Sequence, residues 1–165
     1  MEMDSLAAIL PPEMSSIRLE PLFIFQIEVK APSIIGQTPG YDRRIGEIAG
    51  GRFESDKLRG KILTGGSDWQ SLRADGATTI NVRLVMQTDD GELIGMTYTG
   101  MRHGPKEVLD RIGRGEKVNP TEYYMRVTPY FETASQKYGW LNRIVSVAYG
   151  HRMAGGAIYH VFQVL

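Results

Sequence analysis

Three short stretches of the chain carry the residue types from which a reactive pocket could be built. "GGSDWQSLRADG", from Gly65 to Gly76, sets Asp68 beside Trp69 and follows them with Arg73; "EYYMRVTPYFET" holds Tyr124, Arg126, Phe131 and Glu132; "QKYGWLN" holds Tyr138, Trp140 and Asn142. Aromatic rings mixed with a few charged groups have the composition of a small-molecule pocket, where rings supply contact area and polar groups fix orientation. In such a pocket Asp68 or Glu132 is the candidate general base, and Arg126 with Tyr124 the candidate stabiliser of an enolate or phenolate oxygen. Trp69, Arg73, Phe131, Tyr138, Trp140 and Asn142 would bind the substrate. The plainer alternative stays open: both tryptophans could be core, Asp68 a turn cap, and Arg126 with Glu132 or Asp68 a structural ion pair.

Other chemistries find less support. His103, His151 and His160 show neither an H-x-H nor an H-x-x-x-H spacing, so no metal site is expected. The segment Gly65 to Trp69 lacks the last glycine of a G-x-S-x-G elbow, which makes Ser67 a poor nucleophile candidate. "GRGEKV" has two of the glycines of a dinucleotide loop and follows a helical pattern rather than a strand. No cofactor is expected.

These residues must be positioned by a single domain, since 165 residues suffice for one core and are short for two. Acidic and basic residues both number 19, so no net field draws the chain to nucleic acid or an anionic membrane. The expected partner is a small-molecule ligand, with a homo-oligomer anticipated from the exposed arm and sheet edges. The absence of cysteine removes disulfides and thiol chemistry and sits with a cytoplasmic location. The leading "MEMDSLAAILPPEM" has Glu2 and Asp4 where a secretory signal would be basic, so residues 1–16 read as a flexible or docking arm and 17–165 as the domain. No apolar run approaches the roughly 20 residues of a membrane-spanning helix.

"LFIFQIEV", from Leu22 to Val29, alternates with the two-residue period of a strand. "APSIIGQTPGYDRR" reads as a loop; "IGEIAGGRFES" and "KLRGKILTGG" read as strands interrupted by glycines that let a sheet bend. Asp75-Gly76 and Asp90-Gly91 mark hairpin turns, and Pro105 opens one short helix with Val108, Leu109 and Ile112 on one face. In "TTINVRLVMQT" the polar Asn81, Arg83 and Gln87 alternate with Ile80, Val82, Leu84 and Met86, a strand with one wet face. "ASQKYGWLN" reads as a turn, and "RIVSVAYGHR" with "AIYHVFQVL" as a closing hairpin. Roughly eight to ten strands with one minor helix predict an all-β fold, an antiparallel β-barrel of calycin or lipocalin-like type.

"GGRFES", "LRGKILTGGSDWQSLRADG", "EYYMRVTPYFET" and "YGWLN", in that order, resemble the family of domain of unknown function 3237, also called uncharacterised protein family 0311. The resemblance runs from about Leu22 to the carboxyl terminus. It implies a compact antiparallel barrel, with some fungal members looking like cofactor-free enzymes that close oxygen rings by intramolecular addition of a hydroxyl to an alkene. The family pattern falls on Arg52, Gly66, Asp68, Trp69, Arg73, Asp75, Tyr124, Arg126, Pro129, Phe131, Glu132, Tyr138, Trp140 and Asn142, and adds Arg52 to the candidate binding residues. Met125 stands where an aromatic is expected in many relatives.

Two functions follow from this reading, beside a third in which the barrel is packed solid and serves as a subunit-interaction scaffold. One is a cofactor-independent enzyme of lyase, isomerase or cyclase type, moving a proton during addition or elimination on an aromatic or enone-bearing metabolite. The other is a carrier or sensor that uses the same barrel without turnover. A buried acid beside a buried arginine is costly unless used, which favours the enzyme.

Overall fold

A computed structural model describes residues 5–165; Met1 to Asp4 of the arm lie outside the described residues. Ten strands run in chain order: β1 Leu19–Val29, β2 Ser33–Gln37, β3 Asp42–Glu54, β4 Arg59–Ile62, β5 Ser67–Leu72, β6 Thr78–Thr88, β7 Leu93–His103, β8 Tyr124–Glu132, β9 Ser146–Met153 and β10 Gly156–Val164. The helices are α1, Leu6–Ile9, and α2, Lys106–Gly113. Every pairing is antiparallel, in the order β1, β10, β9, β8, β7, β6, then β4 and β5 end to end between β6 and β3, and β3 returns to β1. The result is a closed eight-position barrel.

Alternation decides which residues fill it. On β6 Ile80, Val82, Leu84 and Met86 are buried while Asn81, Arg83 and Val85 face solvent. On β1 Phe23, Phe25 and Ile27 point inward, and Phe25 stacks on Tyr159 with ring centroids 4.6 Å apart. Tyr98, Phe53 and Phe131 complete an aromatic core. Closure demands a sharp bend in β3, which must pair with β5 at one end and β4 and β1 at the other. Gly51 sits at that bend, where a Cβ would lie 2.1 Å from the Gln26 carbonyl oxygen; only glycine permits the approach.

The two ends differ. The strand ends near Val29, Leu72, Thr78, His103 and Met153 form one rim, over which lie α2 and the β2–β3 hairpin. At the other end the β6–β7 turn is clasped to the segment after β8: Lys137 donates to Asp90 Oδ2, and Tyr138 Oη donates to Asp90 Oδ1 at 3.1 Å. A 3₁₀ turn, Gly139–Arg143, follows, with Leu141 buried.

Two local expectations are corrected. "APSIIGQTPGYDRR" contains a strand, β2, which pairs with the start of β3, and "ASQKYGWLN" is longer than a tight turn because it includes the 3₁₀ segment. No described helix is long and apolar enough to cross a membrane.

Candidate active site in the barrel mouth

The interior is largely apolar, and its one buried carboxyl among the described residues lies near the rim that carries α2. There β5 turns Asp68, Gln70 and Leu72 inward, since alternate residues share a face. Asp68 is 6 % exposed. Its Oδ2 accepts a hydrogen bond from Gln70 Nε2 at 2.7 Å, whereas Oδ1 is buried with no partner among the described residues. Burial pushes this carboxyl above its ordinary value, against the Gln70 hydrogen bond and the nearby charges of Arg152 and Arg102.

Asp68 pairs across the sheet with Val82, and Val82 with Tyr98. Tyr98 is wholly buried, and its hydroxyl also lacks a partner among the described residues. Burial holds the Tyr98 and Tyr159 phenols above their ordinary range, so both stay protonated donors at neutral pH. Their rings lie 5.3 Å apart.

Above this layer stand two arginines from the ends of β7 and β9. Arg102 and Arg152 line the recess with Asp68, and neither has a salt bridge among the described residues. Arg152 Nε is buried and unpartnered. Burial, and then the charge of Arg152, lowers the pKa of Arg102. The β9 strand is fixed from behind, because the Arg152 backbone N–H donates to Tyr123 Oη at 2.7 Å, and that hydroxyl lies 2.8 Å from His151 Nδ1.

The recess around Asp68 is small, about 10 Å³, room for roughly one water. It shares Gln70, Thr78, Arg102 and Arg152 with a cleft of about 810 Å³ roofed by Leu109 and Ile112 of α2. That outer volume suits a small organic ligand. The arrangement is a substrate-sized cleft whose floor is two guanidinium groups, with a buried acid one layer beneath.

The sequence-nominated residues separate on this scaffold. Asp68 lies in the interior and Arg73 on the rim of the cleft, where it pairs with Asp75. Trp69, next to Asp68 on the same strand, points the other way and is 46 % exposed; Arg43 lies over its ring at 5.3 Å. Tyr124 and Arg126 lie on the outer wall, where the Arg126 guanidinium sits 3.4 Å from the Tyr149 ring centroid and 5.0 Å from that of Tyr124. Arg52 and Glu132 are exposed, Glu132 lying against Gly95. Phe131 packs edge-on against Phe23 in the core. Tyr138, Trp140 and Asn142 belong to the clasped end; Asn142 exchanges hydrogen bonds of 2.8 and 2.9 Å with the Thr133 backbone. The structure therefore brings none of Glu132, Arg126 or Tyr124 to Asp68.

Arg102, Arg152, Gln70, Tyr98 and Tyr159 were not nominated by sequence. One signal was available: Gly100-x-Arg102 and Gly150-x-Arg152 each put a glycine and an arginine on the same strand face. The glycine lets neighbouring groups pack tightly below the guanidinium. A Cβ at Gly150 would lie 2.7 Å from the Tyr159 ring and 2.9 Å from Met125 Cγ.

Fold and site together define a closed antiparallel β-barrel with a polar floor at one mouth. The chain belongs to the family Protein of unknown function (DUF3237), whose model matches residues 17–164. It is 32 % identical over 152 residues to a UPF0311 protein of Clostridium acetobutylicum, covering 92 % of this chain and 96 % of that one. A crystal structure of a conserved protein of unknown function from Rhodopseudomonas palustris superposes with TM-score 0.87 at 30 % identity, covering 92 % and 99 % of the two chains. A beta-barrel like protein from Acinetobacter baumannii gives TM-score 0.80 at 39 % identity, covering 94 % and 99 %. The same fold recurs at 19 % identity and TM-score 0.72 in an enzyme from Penicillium herquei, covering 94 % and 100 %.

Proposed function

We propose that this barrel is a cofactor-independent enzyme that moves a proton during addition or elimination on a small enone-bearing or aromatic metabolite. The observation that carries the reading is the buried, half-unpartnered Asp68 in a recess it shares with two arginines without salt bridges. Each such group costs stability when unmatched, so the placing of Asp68, Arg102 and Arg152 around one recess points to use.

In the addition direction Asp68 accepts the proton of the attacking hydroxyl, directly or through one water. The oxygen then forms a C–O bond to the β-carbon while the alkene π pair moves onto the carbonyl oxygen. Arg102 and Arg152 stabilise that enolate. Protonated Asp68 returns the proton to the α-carbon, so nothing is consumed and the product is an isomer of the substrate. Burial raises the Asp68 carboxyl above its ordinary value, which makes its protonated form easier to reach as the proton is taken up and returned.

The small size of the recess favours a second reading, a carrier that holds its ligand in the outer cleft without turnover. One experiment separates the two. Hydroxy-enones are incubated with wild type and Asp68→Asn in deuterated water, and deuterium at the α-carbon is followed by proton NMR. Deuterium uptake with ring closure in wild type and its loss in the variant supports the enzyme; saturable binding without exchange supports the carrier.

A further inference from the structure

Charge pairing distinguishes the floor of the cleft from its rim. The rim cations are matched: Arg44 with Asp42, Arg73 with Asp75, Lys106 with Asp110, and Arg114 with Glu116. Arg102 and Arg152 have no such partner among the described residues, and the carboxyl beneath them, Asp68, makes no ion pair within salt-bridge distance. Two half-buried guanidinium groups over one carboxyl leave excess positive charge on the cleft floor. Partly buried, unpaired charge, with the Arg152 Nε fully buried, is costly unless a counter-charge arrives.

We infer that the cleft selects an anionic substrate, an apolar-bodied carboxylic acid whose carboxylate is bound by Arg102 and Arg152 on the cleft floor. The inference rests on the small-molecule reading of the same site. Guanidinium groups present planar, paired N–H donors that match a carboxylate. Gln70 and Thr78, on the shared wall, add side-chain polar groups beside them. The rest of the ligand meets Val29, Leu109 and Ile112, which supply apolar contact. An α,β-unsaturated acid meets both demands, because its carboxylate is the group that accepts the electron pair during addition. The neutral net charge of the whole chain conceals this local excess.

The test is isothermal titration calorimetry of the full chain with cinnamate, its methyl ester and phenyl phosphate. Cinnamate is expected to bind with a Kd below about 1 mM and at least about tenfold more tightly than the ester. Raising sodium chloride from about 20 to about 300 mM should weaken cinnamate several-fold and leave the ester unchanged. Arg102→Met should weaken cinnamate by at least about tenfold, and Arg102→Lys by less, with circular dichroism confirming the fold. Asp68→Asn should bind cinnamate as well as or better than wild type, since a competing carboxyl is removed. That variant separates this inference from the proposed enzyme: lost turnover with retained anion binding leaves the anion site standing. Equal binding of acid and ester, a folded Arg102→Met with cinnamate affinity within about twofold of wild type, or no heat from cinnamate up to about 20 mM would overturn it. Tighter binding of phenyl phosphate than cinnamate would overturn the carboxylate assignment.

Discussion

Asp68 and Tyr98 occupy the same cross-strand row of the barrel, separated by Val82, and each carries a buried oxygen that no other described group satisfies. Two unsatisfied groups in one row cost stability that a core built from apolar residues would not. Asp68→Asn is therefore expected to lower turnover by about 10²–10⁴-fold while raising stability at pH 7 by about 1–2 kcal/mol. Denaturant melts alongside the deuterium-exchange assay measure both.

The same carboxyl sets a pH dependence. Its folded pKa is raised above 3.8, so in the window from that value up to the raised one the folded form holds more protons than the unfolded chain. Stability contributed by protonated Asp68 is then present at low pH and lost as pH climbs through the window. The slope of melting temperature against pH should flatten there in Asp68→Asn.

Tyr98→Phe removes a buried hydroxyl with no partner. Stability is expected to change by no more than about 1 kcal/mol, because the Tyr159 phenol beside that hydroxyl loses at most a weak contact. Falling turnover with unchanged melting would assign that hydroxyl to the reaction; unchanged kinetics would confine the chemistry to Asp68 and the arginines.

The clasp at the far end behaves oppositely with pH. The Lys137 hydrogen bond holds Asp90 down to about 2, and Asp90 in turn raises Lys137 to about 12. The contribution is present above the unfolded carboxylate value and is lost as pH falls toward 2, and again as it rises through 12. Asp90→Asn should lower the melting temperature by about 1–2 °C at pH 7, with the difference vanishing near the acid limit. Ligand affinity should not change, since Tyr138 and Lys137 lie away from the cleft.

Gly51→Ala would place a methyl group against the Gln26 carbonyl. Because the obstacle is backbone, the bend in β3 must open, at a cost of about 1–3 kcal/mol. Thermal melting, about 2–4 °C per kcal/mol for a chain of this size, reads it directly.

Strands such as β1 and β6 were legible because their apolar residues recur at every second position, and the barrel followed from many such strands bent by glycine. β2 was not, because its five residues expose almost every side chain and leave no alternating signature. At the site, parity explains both success and failure. Adjacent strand residues take opposite faces, so Asp68 and Trp69 could not both point inward, nor could Phe131 and Glu132. Which member of each pair turned in depended on closure, a property of all strands together. Arg102 and Arg152 escaped notice because they sit 50 positions apart in the chain, near the ends of strands that read as ordinary hairpins. Only the barrel brings them over Asp68.

The clasp of Asp90 with Lys137 and Tyr138 has a kinetic corollary. The clasped end and the packed interior leave the cleft over α2 as the place where a product and the next substrate contend for the same arginines. Product of the proposed reaction should therefore compete with substrate, and a bulky group fixed at Lys106, which lines the cleft, should slow the arrival of a ligand and weaken its binding.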